Sequence, residues 1–347
     1  MTPHPAALLG LLIAVVPSTC PPLPTLGALV CTADAAGFTY GRDAAAVRAM
    51  TEDVGVAREI YRTHFGRLPP RGAIVSAGTQ QSVGAEEDRS LRAAGARWVL
   101  PWIDAADRDR ALEPKIRAAI TQKMPGMSEQ AVDAAVARAL ASAAGGEQGA
   151  DTSIRSALRH ELGHMWLIAD RWPRRTEEEA ANRTDSHYGG PAPDWLDETA
   201  AVLMEDAAMT ARRRELFGTI RRGGEPGERI VALADFVTMD HPLAAQVRAR
   251  PDAKSGASIT ILSGEEARRL AAGSRAFYAQ ARVFADYLIA RSGRPNVFAA
   301  IADAAAEGRD FASWLGRDGA DYGLPVTLPS LERDWLDWLA PAYPPGA

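Results

Sequence analysis

Lysine is nearly missing from this chain of 347 residues, which carries it only at positions 115, 123 and 254 and uses arginine elsewhere. That imbalance is compositional and points to no function. There is no excess of positive charge either. The formal net charge is −5, so no electrostatic case exists for nucleic acid as a partner. Cysteine is scarce, with two residues, Cys20 and Cys31, both near the N-terminus. Long apolar runs are lacking too. The continuous run Ala6–Val16 is too short to span a bilayer but suits the apolar region of a secretory signal.

Between Met1 and Ala33 there is no Asp, Glu, Lys or Arg. Ala33 and Ala35 form a small-residue cleavage pattern, so residues 1–35 are predicted to be a signal peptide or apolar leader, with export of the remainder. The leader lacks a basic residue beyond His4. Neither cysteine follows a lipoprotein cleavage pattern. Cleavage after Ala35 would leave no cysteine, hence no disulfide and no thiolate ligand.

The whole chain is 47% hydrophobic and 24% charged, the composition of a globular protein with a large core. Residues 43–64 read as a helix with apolar positions at Val47, Met50, Val54 and Ile60-Tyr61, stopped by Gly66 and Pro69-Pro70. Ala73-Ile74-Val75 and Arg97–Leu100 are short strand candidates. Residues 107–144 are Ala-rich and helical, broken near Pro125-Gly126. Helices are expected at 194–204, where Asp194 can cap, and at 274–291, 296–307 and 331–339. Glu177-Glu178-Glu179 reads as a solvated helix face, and the basic, Gly-rich stretch 212–227 as an exposed loop. The fold class is α+β, predominantly helical, with an N-terminal α/β portion over 36–150 and a helical portion over 151–347. No linker divides 36–347, which is taken as one continuous unit.

One stretch carries chemistry: Arg159-His160-Glu161-Leu162-Gly163-His164. Residues four apart on a helix are separated by about 400°, so His160 and His164 point the same way. Two such imidazoles can meet one zinc ion at about 2.0–2.1 Å. Glu161 sits about 100° round the helix, beside the metal, where a carboxylate can take a proton from water. The surrounding residues are mostly apolar and helix-compatible, and no proline lies between Asp151 and Trp172.

A catalytic zinc site requires a third protein ligand. Asp170 would point about 240° away from His164 if the helix continues. His187 is chemically suitable but has no pattern around it. Glu198 lies in Trp195-Leu196-Asp197-Glu198-Thr199-Ala200-Ala201, which resembles the W-L-x-E-G-x-A segment of the gluzincin metallopeptidases, with Thr199 in place of the usual glycine. That resemblance implies a zincin-like helical catalytic domain in which Glu198 joins His160 and His164 on zinc. Phe277–Leu288 is similar to the family's downstream helix. By that match Tyr278 would steady the oxyanion, with His187 or Tyr188 as alternatives. The segment with which gluzincin aminopeptidases hold a free amine is not found. Asp197 reads first as an exposed helix charge and second as a group orienting a ligand histidine.

The expectation is therefore a zinc peptidase acting on a peptide or protein substrate, exported to the periplasm or beyond, or cytoplasmic if the leader is not a signal, with no stable membrane span in the mature chain. The alternative is a non-catalytic scaffold of the same fold. Specificity and oligomeric state are not legible.

Overall fold

A computed structural model describes residues 19–78, 83–103, 105–143, 150–173, 190–224, 227–243 and 264–346. The fold is α+β and mostly helical, with one small mixed sheet near the N-terminus. Strands β1 (Val30–Ala33), β2 (Gly37–Gly41), β3 (Gly72–Val75) and β4 (Val99–Pro101) lie in that order across the sheet. β1 runs antiparallel to β2, and the other two pairings are parallel. The parallel crossovers are made by α1 (Ala44–Phe65) and α2 (Ala85–Ala93).

Every residue of β2 and β3 is buried, because both faces of the sheet are covered. Alternation divides the two faces. Phe38, Tyr40, Ala73 and Val75 point to one side, where Leu23, Leu26 and Leu91 join them. Ile74, Trp98 and Leu100 point to the other, into the main core with α1.

The expected leader, which ends at residue 35, overlaps this arrangement. Residues 20–33 belong to the folded body: β1 pairs with β2, Leu23 and Leu26 are buried, and Cys20 and Cys31 form a disulfide. Uncharged, apolar composition is shared by signal sequences and by segments that pack on a folded body. Residues 1–18 lie outside the described residues.

α1 forms as its sequence predicts. The Asp43 side chain accepts the Ala46 N–H at 2.8 Å, and Gly66 closes the helix in the left-handed region. Its buried stripe of Val47, Met50, Val54, Ala57, Tyr61 and Phe65 joins the main core, and the helix packs on the sheet and on the motif helix α5 (Ala150–Arg171). Tyr61 meets Trp166 edge-on, and its hydroxyl donates to Asp170 at 2.8 Å. Asp53, also buried, accepts from both Arg155 and Arg159 of α5. Trp98, from the sheet, meets Trp166 edge-on as well. Between β4 and α5 lie α3 (Ala105–Lys123) and α4 (Glu129–Ala143), the two helices read from the Ala-rich stretch.

Helix α6 (Asp194–Met204) lies at the centre, with all eleven residues buried. A helix buried all round must be apolar or have its polar groups matched. Asp194 does not cap it. Pro193 precedes the helix, and the Asp194 carboxylate instead accepts the backbone N–H of His241 at 2.6 Å. The stretch expected as an exposed loop is mostly helix: α7 (Ala207–Arg221) is capped by Asp206 and buries Thr210, Phe217 and Ile220 on one face. Arginines on its other faces reach acidic partners, which the basic composition alone did not reveal. Then come α8 (Leu233–Phe236), α9 (Gly264–Ser292), α10 (Val297–Ala306), α11 (Phe311–Asp318) and α12 (Leu328–Leu339). No helix among the described residues is long and apolar enough to cross a membrane.

Candidate metal centre

Two helices meet at a glycine. A Cβ on Gly163 of α5 would lie 2.5 Å from the Ala200 carbonyl oxygen and 2.6 Å from Ala201 Cα, so the backbones of α5 and α6 touch there. No larger residue fits without moving backbone. This contact sets Glu198 of α6 against the histidines of α5.

His160, His164 and Glu198 then converge, with ligand atoms all within 4.8 Å of one another. His160 Nε2 is 3.4 Å from Glu198 Oε1, and His164 Nε2 is 3.8 Å from Oε2. The other ring nitrogen of each histidine faces a buried carboxylate. His160 Nδ1 lies 3.0 Å from Glu205 Oε1, and His164 Nδ1 lies 3.1 Å from Asp197 Oδ1. An ionised carboxylate only accepts, so Glu205 draws the His160 proton to Nδ1 and leaves the Nε2 lone pair directed at Glu198. This is the outer support that metal-bound histidines generally have.

Glu198 supplies the test of fit. Its side chain is fully buried, and neither oxygen has a hydrogen-bond partner among the described residues. Burial pushes its carboxyl up to about 8, against the pull of His164 and Arg213. A buried carboxylate without partners is costly, and a cation between it and two imidazole lone pairs removes that cost. One carboxylate and two imidazoles is a donor set suited to zinc. The residues fit the metal.

Asp197 is not the exposed charge expected first. It is 2% exposed and stands against His164, because α6 has no solvent face. Thr199 is accommodated by donating its hydroxyl to the Trp195 carbonyl at 2.7 Å. Asp170 is turned away from the site, held by Tyr61, Arg67 and Arg171. His187, Tyr188 and Glu177–Glu179 lie outside the described residues.

Glu161 is half-buried on α5, next to His160 in the chain. Tyr278, half-buried on α9, sets its ring edge-on to His160 with centroids 5.8 Å apart. Three further residues enter the site that the sequence reading did not include. Glu205 follows Glu198 by seven residues, two turns on, which was a usable signal. Burial pushes its carboxyl up, but hydrogen bonds with His160 and Arg213 outweigh this and hold it low. Arg213 binds Glu205 through Nε and Nη2 and lies over the Tyr278 ring.

The third is His241, stacked on Tyr278 with centroids 5.3 Å apart. Its Nδ1 accepts the Leu243 N–H at 3.1 Å, which places its own proton on Nε2. Burial, and then the neighbouring His164 and His160, lower its pKa to about 3, so it is neutral. Nothing in the local sequence announces it. The segment before it is fixed at a distance, where Val231 exchanges two hydrogen bonds with the Gln280 side chain.

No known family model matches the chain, and no curated protein or solved structure matches it either.

Proposed function

We propose that the chain is a zinc-dependent peptidase of the gluzincin type, in which His160, His164 and Glu198 hold the metal. The observation that carries this reading is the convergence of those three side chains, each histidine backed by its own buried carboxylate. Zinc held there would supply a Lewis acid that makes water nucleophilic near neutral pH and polarises a carbonyl.

The chain's own residues would do the rest. Glu161 takes a proton from the attacking water and passes it to the leaving amine, a role that needs a carboxylate beside the metal ligands. Tyr278 donates its hydroxyl to the oxygen on which negative charge develops. His241 is neutral and stacked on Tyr278. Asp197 and Glu205 keep the ligand rings in one tautomer and orientation.

Export is part of the proposal, and the Cys20–Cys31 disulfide supports it, since such bonds persist in oxidising compartments. The experiment is incubation of zinc-loaded protein with a mixed peptide library. Cleavage should stop with chelator, return with zinc, and be absent from a zinc-replete Glu161→Gln variant. Equal cleavage by that variant would remove the general-base role from Glu161.

A further inference from the structure

Arg213 sits where two parts of the site meet. Its Nη2 is 2.7 Å from Glu205 Oε1 and its Nε is 3.2 Å from Glu205 Oε2, a two-pronged grip on one carboxylate. Glu205 Oε1 is the same oxygen that lies 3.0 Å from His160 Nδ1. The guanidinium carbon stands 4.9 Å from the centre of the Tyr278 ring, and that ring is edge-on to His160. Arg213, Glu205, His160 and Tyr278 thus close a circuit.

The chemistry of the circuit is specific to arginine. A planar guanidinium can engage both oxygens of a carboxylate and still lie flat on an aromatic face. Glu205 alone could rotate about its terminal bonds, and His160 would rotate with it. With both oxygens held, one lone pair of Oε1 stays fixed on Nδ1, and the ring plane of His160 is fixed in turn. Residue 213 lies on α7 rather than on either ligand helix, so it ties a third element to the centre.

We infer that Arg213 is a positioning residue of the metal centre, acting on His160 through Glu205. The inference rests on the zinc reading above. It is tested by zinc affinity in competition with a chromogenic chelator, together with the melting temperature of the metal-free protein. Arg213→Met should weaken zinc binding about tenfold or more. Glu205→Gln should weaken it by a similar factor, and the double variant should be no weaker than Glu205→Gln alone. That non-additivity separates positioning through Glu205 from a general loss of structure.

Arg213→Lys keeps the charge but loses the two-pronged grip, and provides the test if Arg213→Met does not fold. It should bind zinc several-fold more weakly at a nearly unchanged melting temperature. Zinc affinity in Arg213→Lys equal to the parent, or additive losses in the double variant, would overturn the inference and leave the zinc reading standing. Failure of the parent protein to bind zinc would overturn both.

Discussion

His164 Nδ1 lies 3.1 Å from Asp197 Oδ1, and Asp197 directly precedes the proposed ligand Glu198 on the same buried helix. On the proposed reading, one turn of α6 would contribute both a ligand and the carboxylate beside another. Asp197→Asn keeps the shape but removes the charge beside Nδ1. Zinc affinity should fall about ten- to a hundredfold, as is common for such partners. Chelator competition measures this, and an unchanged affinity would show that His164 is oriented by something else.

Tyr278 is assigned two separable contributions, a hydroxyl for the reaction and a ring beneath Arg213. Tyr278→Phe keeps the ring, so zinc affinity should remain at the parent value. The turnover number on a cleaved peptide should fall by about a hundredfold or more, the usual loss for one oxyanion donor. Unchanged turnover would remove that role from Tyr278.

Gly163 is where the two site-bearing helices touch. Gly163→Ala drives a methyl group into the Ala200 carbonyl and Ala201 Cα, which are backbone atoms and cannot rotate away. The helices must separate, at a cost of about 1–3 kcal/mol. Urea unfolding should register the loss, and zinc affinity should fall with it because Glu198 moves from the histidines. A variant unchanged in both would contradict the close approach.

Remote from the metal, Asp286 of α9 accepts from Arg214 at 2.7 Å and from Arg282 at 2.6 Å. Burial pushes its carboxyl up, but the two guanidiniums outweigh this and leave it below the ordinary aspartate range. A carboxylate lowered in the folded state stabilises it above the unfolded value, about 3.9, and that stability is lost as pH falls through the folded value. The parent should therefore melt at higher temperature than Asp286→Asn near neutral pH. The gap should close below about pH 4. A gap that persists in acid would assign the difference to packing.

The parts of this site that were legible in the sequence are those set by local geometry. His160 and His164 share a helix face by spacing alone, and Glu198 was found through the pattern around it. Asp197 was misread because its burial depends on α6 being enclosed by α5, α9 and α1, which no local pattern states. His241 was missed for the same reason. It is brought to Tyr278 by the hydrogen bond to Asp194 and by Gln280, both remote in the chain. The sheet was half read: β3 and β4 are apolar runs between turn residues. β1 lay within a stretch whose lack of charge read as a leader.

The central claim is that three side chains form a built zinc site. Its most direct test is the zinc content per chain of purified protein, measured by elemental analysis after exhaustive dialysis, for the parent and for Glu198→Ala. About one zinc per parent chain is expected, with the variant losing most of it under the same dialysis. A parent that holds no zinc and regains none on addition, or a variant that holds it as tightly as the parent, would contradict the account.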